Sequence, residues 1–334
     1  MAQVKQTTTA LDPNLLAAEQ SIVYVPVYDT YTHGTAANNV INGDAQRNAI
    51  YGEDGNDTLN GLGGNDYLNG GNGNDTLNGG DGNDILLGGA GADKMNGGAG
   101  NHDLVSYAGA SSGVGVHLDT GTGNGGDANG DTYSNVEDIT GSSYNDFLEG
   151  TSAIGGNVIH GGNGNDLIQG NGGYDTLYGD NGDDSITAFG TWNTGGATMY
   201  GGAGNDRLTG GEGDDYMYGG SGNDTLEGRA GVNTLEGGSG HDTFEFQKNL
   251  DQAGPAENYN VITDFDKSQD TLSLYDVFQG NGNNTAIVVG SDASGDVQLT
   301  FGDTTVVLEG VQNAGWNSVQ QLTNAGFDVT NTQF

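Results

Sequence analysis

The chain has 334 residues, of which 65 are glycine, with only 33% hydrophobic content and no cysteine. Against 45 acids stand 7 bases, a formal net charge of −38, which excludes nucleic acid as a partner and disfavours unassisted binding to an anionic membrane. So little apolar sequence cannot build an ordinary compact core of this length, and disulfides play no part.

Residues 1–33 are the least patterned stretch. Leu15 to Gln20 can form a helical turn or two behind Pro13, and Ile22 to Tyr28 alternates enough for a strand. The segment reads as a cap over an open end of whatever follows, or as a short functional segment. No apolar run of secretory-signal kind follows its lysine, and no stretch of the chain approaches the ~18 apolar residues of a membrane span.

From Gly34 a nine-residue period sets in, first in degenerate form with Asn39 and Asn48 at position six and Ile41 and Ile50 at position eight. Between Gly52 and Asn101 it becomes strict: glycine opens each unit at Gly52, Gly61, Gly70, Gly79 and Gly88. An acid stands at position six in Asp57, Asp66, Asp75, Asp84 and Asp93, and an apolar residue at position eight in Leu59, Leu68, Leu77, Leu86 and Met95. Clustered glycines suit tight turns, so the first six positions read as turn and the last three as a very short strand burying one side chain. Such strands become stable only when stacked on identical copies, which predicts a parallel solenoid with an inward apolar ladder. With two units per coil, Asp57 lies above Asp75 and Asp93, and Asp66 above Asp84. Carboxylates stacked about 4.8 Å apart repel one another unless a cation intervenes. The donors on offer, aspartate and peptide oxygens, are hard ligands suited to calcium. A solvated Gly/Asp linker would have no need of an apolar residue at every ninth position.

At Gly97 the period reaches His102 at position six, an imidazole that marks the end of the acidic row. Residues 103–140 break the period. The alternation Val114, Val116, Leu118 suggests a longer strand, and Val136 and Ile139 return to the core, so the segment reads as an inserted long rung continuous with the coil. Gly109 to Gly113 satisfies G-x-S-x-G, but the strand, sharp turn and helix of a hydrolase nucleophile are missing from the pattern. A second, less regular array spans 141–246 with position-six acids Asp146, Asp166, Asp175, Asp184, Asp206, Asp215, Asp224 and Asp242. Asn233 replaces the acid in one unit, and two rungs are swollen, Gly150 to His160 and Ala188 to Tyr200, the second carrying Phe189 and Trp192. From about residue 247 the composition changes to longer alternating strands, with Val297–Phe301 and Thr304–Leu308 reading as a hairpin around Gly302-Asp303.

Gly70 to Asn78 matches the phrase G-G-x-G-x-D-x-U-x at each specified position, and on that phrase the chain resembles the RTX, or hemolysin-type, calcium-binding proteins of bacterial type I secretion. The resemblance implies an all-β parallel β-roll with a C-terminal β-rich cap. It implies several Ca2+ ions held between loops by the thirteen position-six aspartates above, together with Gly52, Gly61, Gly70, Gly73, Gly79, Gly82, Gly88, Gly161, Gly164, Gly201, Gly204, Gly219 and Gly222. The implied organisation is a cap at 1–33, a first array at 34–102, the inserted rung at 103–140, a second array at 141–246 and a cap with secretion signal at 247–334. A secreted, extracellular location follows, with the type I secretion apparatus as a partner and no N-terminal leader. With no H-E-x-x-H among the five histidines, no Walker loop and no effector-sized segment ahead of the repeats, the expected function is calcium-linked binding and not catalysis. Two other readings stay open. One is a membrane-active protein, toward which small rhizobial nodulation-signalling RTX proteins are similar. The other is a cell-surface or biofilm protein binding polysaccharide on Tyr51, Tyr67, Tyr178, Tyr200 and Tyr218.

Overall fold

A computed structural model describes residues 28–152, 155–188, 195–247, 258–275, 288–301 and 304–332. The expected N-terminal helical turn and strand, and Phe189 and Trp192, lie outside the described residues. The chain divides into two units, Met1–Thr151 with Asn157–Leu167, and Ser152–Gly156 with Ile168–Phe334. Both are built from parallel strands coiled into a β-solenoid.

In the first unit one sheet runs Thr30–His33, Asn48–Asp54, Tyr67–Asn72, Ile85–Ala90, Leu104–Ser106, Asp138–Thr140 and Val158–Asn163, each strand parallel to the next. The facing sheet begins Val40–Asn42, Thr58–Gly63, Thr76–Asp81 and Lys94–Ala99. Pairing such as Leu59↔Leu77 and Leu68↔Leu86 joins residues eighteen apart, so two nine-residue units make one coil. Position eight points inward throughout: Ile50, Leu68, Leu86, Val105, Ile139 and Ile159 form one ladder, and Ile41, Leu59, Leu77, Met95 and Tyr133 the other, all buried. Each fully buried aliphatic rung contributes about 1.5–3 kcal/mol, which lets a glycine-rich chain hold together with one apolar side chain per unit.

The regular strands are twice as long as the sequence suggests. Thr58–Gly63 and its counterparts run from position seven of one unit through position three of the next. The glycines at positions one to three are therefore mostly strand, because the absence of Cβ lets rungs pack tightly while their peptides pair. A Cβ at Gly70, for instance, would strike Asp75 Oδ2 and the Gly88 carbonyl oxygen. Position two needs positive φ, and Leu62 adopts φ 80° there while 54% exposed. Left-handed backbone costs a non-glycine residue roughly 1–2 kcal/mol, so Leu62→Gly is expected to raise thermal stability by about 1 kcal/mol, read as a higher melting temperature in saturating calcium.

The insert holds the solenoid's course with a local reversal. Thr132–Ser134 pairs in parallel with Lys94–Ala99, then Thr122–Asn124 and Gly115–His117 follow antiparallel before Phe147–Glu149 resumes the parallel order. The alternation of Val114, Val116 and Leu118 does bury all three, but only Gly115–His117 is strand, since Thr122–Asn124 turns back against it. The G-x-S-x-G stretch is a turn with Ser111 and Ser112 exposed and a strand, not a helix, after it.

In the second unit Thr176–Asn181, Thr198–Ala203, Tyr216–Ser221, Val232–Ser239, Asn258–Ile262 and Thr304–Gln312 stack in parallel. Facing them are Ser185–Thr187, Arg207–Thr209, Thr225–Glu227, Thr243–Gln247, Thr271–Tyr275 and Asp328–Thr332. The β-rich C-terminal segment thus continues both sheets. Its distinct parts are the antiparallel pairs of Asp296–Phe301 with Thr304–Gln312 and with Val288–Ser291, and a short helix, Val319–Asn324, capped by Ser318. The hairpin pairing read from the sequence, Phe301↔Thr304 through Val297↔Leu308, is present. Phe265 stacks on Phe327 at 6.0 Å, with Phe244 tilted against Phe265 and Trp316 edge-on to Phe327, an aromatic cluster in the C-terminal coils. Among the described residues no helix is long and apolar enough to cross a membrane.

Candidate metal centre

Each position-six aspartate closes the turn between strands on opposite sheets, and its two oxygens do different things. Oδ1 accepts the backbone N–H of the position-six residue one coil earlier: Asp57 to Asp75, Asp66 to Asp84 and Asp75 to Asp93, each at 2.7 Å. Asn39 and Asn48 donate in the same way to Asp57 and Asp66. The carboxylates therefore form two rows, one along each edge of the first unit. Asp57, Asp66, Asp75, Asp84 and Asp93 are at most 2% exposed.

The second oxygen is left over. Oδ2 of Asp57, Asp66, Asp75, Asp84, Asp93, Asp103, Asp206 and Asp224 is buried and finds no hydrogen-bond donor among the described residues. It lies so near the point that a Cβ on the position-one glycine would occupy that the two would clash, in all but one case opposite a peptide carbonyl of the next coil. Asp57 Oδ2 and the Gly70 carbonyl flank Gly52, Asp66 Oδ2 and the Gly79 carbonyl flank Gly61, and Asp84 Oδ2 and the Gly97 carbonyl flank Gly79. The same pairing recurs at Gly201 with Asp206 and at Gly219 with Asp224. At Gly88 the nearest atoms all belong to Asp93, with Oδ2 the one oxygen among them. Position-four glycines serve another end: Gly73 has φ 134°, and a Cβ there, as at Gly82, Gly164, Gly204 and Gly222, would run into the backbone of the coil before. Gly161 faces the cradle at Gly141 through its carbonyl oxygen.

A buried carboxylate without a donor is costly to ionise. Burial accordingly pushes Asp66, Asp93 and Asp224 up to about 7, and Asp84, Asp103 and Asp206 up to about 6, against the lowering by the N–H each accepts. Asp75 moves in the same direction for the same reason. A divalent cation would settle these oxygens, and the donor set of carboxylate and carbonyl oxygen, without sulfur or imidazole, is of the kind calcium takes. Among the described residues no three His, Cys, Asp or Glu side chains gather at one point, so peptide oxygens must supply much of any coordination shell.

The rows extend beyond the residues the repeat points to. His102 does not hold position six: one extra residue in the loop puts Asp103 there, accepting the Asp84 N–H at 2.8 Å, while His102 turns outward to Asp138 at 3.1 Å. Asp131 follows Asp93 in the other row, also at 2.8 Å. Glu137 accepts the Asp103 N–H at 3.0 Å. Asp131 has no spare oxygen, because Tyr107 donates its hydroxyl to Oδ2 at 2.6 Å and is itself 2.6 Å from the Tyr133 hydroxyl. A buried tyrosine pair thus closes that row. Asp146 is similarly satisfied, by Val114 N–H and by the Ser142 hydroxyl and N–H. Asp166 accepts the Asp146 N–H at 2.8 Å.

In the second unit one row runs Asp184, Asp206, Asp224, Asp242 and Asp270, linked by N–H to Oδ1 bonds of 2.8–3.1 Å. The other holds Asp175, Ala197, Asp215, Asn233 and Asn260, with Asp215 accepting from both Ala197 and Gly211. The tyrosines of the sheet faces meet neighbouring rings along the coil. Tyr67 is 2% exposed, Tyr51 stacks on His33 at 4.5 Å, and Tyr178 stacks on Tyr200 at 5.0 Å with planes 7° apart.

A parallel β-solenoid with repeated oxygen cradles on its turns defines a calcium-binding repeat protein. The family model for the RTX calcium-binding nonapeptide repeat, four copies long, matches residues 33–68, 69–101, 151–186, 193–226 and 218–245. The chain belongs to the RTX repeat family. No curated protein matches it by sequence. Similar solved structures include the AlgE6R3 subunit of the Azotobacter vinelandii mannuronan C5-epimerase, 26% identical over 46% of this chain and 86% of that one with a TM-score of 0.24. Another is the extracellular lipase LipA of Serratia marcescens, 17% identical over 90% of this chain and 42% of that one with a TM-score of 0.20. The chain therefore spans less than half the length of that lipase.

Proposed function

We propose that this chain is a secreted module that folds when it meets extracellular calcium and then acts by binding and not by catalysis. The observation that carries the reading is the series of buried Oδ2 atoms without donors, all but that of Asp93 facing a carbonyl across a glycine that cannot be replaced without filling the gap. Bound calcium supplies the positive charge these oxygens lack. The protein's own residues supply the rest: Oδ1 ties each loop to the coil before it, the glycines keep the cradle open, and the position-eight ladder fixes the spacing.

Because the cradles exist only in the stacked coil, metal binding and folding are one equilibrium. Extracellular calcium modules work at roughly 10⁻⁴ to 10⁻³ M, which leaves the chain extended at cytosolic calcium and fits export by a type I apparatus. Circular dichroism during a calcium titration tests this. A cooperative gain of β-sheet signal with a midpoint in that range is expected, and a chain fully β-structured in EGTA at pH 7.5 overturns it.

A further inference from the structure

We propose that the second unit takes calcium along one edge, the row Asp184–Asp206–Asp224–Asp242, and that the stretch of the opposite edge at Asp215, Asn233 and Asn260 is closed by the protein's own donors and takes no metal. The inference rests on the calcium reading above and goes beyond it by assigning which of the position-six acids are ligands.

Along the first edge Asp206 and Asp224 repeat the arrangement of the first unit. They are 2% and 1% exposed, give Oδ1 to the N–H of the coil before, and keep Oδ2 buried and without a donor beside the carbonyls of Gly219 and Gly237. The row ends in protein: Asp270 takes the Asp242 N–H on one oxygen and the Asp266 N–H on the other.

At Ala197, Asp215 and Asn233 the opposite edge is chemically different, although Asp215 Oδ2 and the Gly228 carbonyl still flank Gly210. Ala197 brings no side-chain oxygen, and its N–H donates to Asp215 Oδ1 at 2.8 Å. The other oxygen of Asp215 accepts the Gly211 N–H at 2.8 Å, so this carboxylate is satisfied on both sides by peptide hydrogens. At the next coil the Asp215 N–H fixes Asn233 Oδ1 at 2.9 Å, which fixes where the amide nitrogen lies. Nδ2 then donates to the carbonyls of Arg229 and Ala230 in its own loop, at 3.3 and 3.4 Å, and to Asn260 Oδ1 at 3.0 Å. Those two carbonyls are hard oxygens of the turn, and the amide hydrogens stand where a cation would otherwise meet them. An uncharged side chain therefore does the work of the ion on this edge once the coil has formed.

The test counts calcium ions on the full chain by native mass spectrometry at saturating calcium, alongside the titration midpoint. Asp224→Asn is expected to lose at least one ion and to raise the midpoint about tenfold or more, the scale on which even the outer-shell partners of a metal act. Asp215→Asn is expected to keep the full count. Should that variant fail to fold, Asn233→Asp still decides, since exchanging the amide donor for a carboxylate is expected to add one ion. Loss of an ion from Asp215→Asn, or an unchanged count in Asn233→Asp, overturns the proposal. A wild-type chain that binds no calcium overturns the calcium reading itself, a result distinguishable from either.

Discussion

In EGTA at pH 7.5 the chain is expected to lose most of its β-sheet signal, and lowering the pH to about 4.5 with the chelator still present is expected to bring part of it back. The carboxyls of Asp66, Asp93 and Asp224 are raised to about 7 and those of Asp84, Asp103 and Asp206 to about 6, chiefly by burial. In the unfolded chain the same groups titrate near the ordinary aspartate value of about 3.9. Between those limits the metal-free fold holds protons that the unfolded chain has released. Its stability therefore falls as pH rises, being fully present below about 4 and lost through 6 to 7. A proton then neutralises the buried oxygen as calcium does, and the repulsion within a chain of net charge −38 relaxes as well.

With calcium present the sign is opposite. Metal binds the ionised carboxylate, so acidification from pH 7 to 5 sets protons against calcium and should move the calcium midpoint upward. Circular dichroism over a grid of pH and calcium separates the two effects. A metal-free chain that stays unfolded at every pH from 7.5 to 4 would show that these carboxylates are not the element opposing the coil.

The sequence made the coil legible because one apolar residue recurs at a fixed offset from one acid. Leu68, Leu77 and Asp75 fall where the nine-residue count puts them, and so do the stacked rows. What escaped is where the count slips while the chemistry does not. Asp103, Asp131, Glu137 and Asp270 each stand two residues ahead of an inward residue, Val105, Tyr133, Ile139 and Leu272, and each takes the position-six hydrogen bond. An acid two before a buried apolar residue is the better signal, since it follows strand geometry, whereas the period follows loop length and fails with one extra residue at His102. The fate of the second carboxylate oxygen was not legible at all. Asp93 and Asp131 look alike in sequence, but only the fold brings the Tyr107 hydroxyl onto Asp131. Likewise the repeat marks Asp215 and Asp224 as equivalent, and only the fold shows that the Gly211 N–H of its own loop reaches Asp215 Oδ2 while Asp224 Oδ2 finds no donor among the described residues.

Leu77→Ala should weaken calcium binding without touching a ligand. Leu77 is fully buried between Leu59 and Met95 in the first unit. Truncating such a side chain costs about 2–5 kcal/mol, part transfer and part cavity. In a solenoid each coil is held only by its neighbours, so the loss falls on the coils that carry Asp57, Asp75 and Asp93 together. Folding and metal uptake being one equilibrium, a penalty of about 2.8 kcal/mol lowers the overall constant about 100-fold. If about four ions enter cooperatively, the midpoint rises by the fourth root of that factor, about threefold. Once enough calcium is added the coil closes as before, and the number of ions bound stays that of the wild type. A ligand variant such as Asp75→Asn shows the contrary pattern, a lower count that no excess of calcium restores. An unshifted midpoint in Leu77→Ala would mean that the cradles form independently of the ladder, and the link between fold and metal would have to be abandoned.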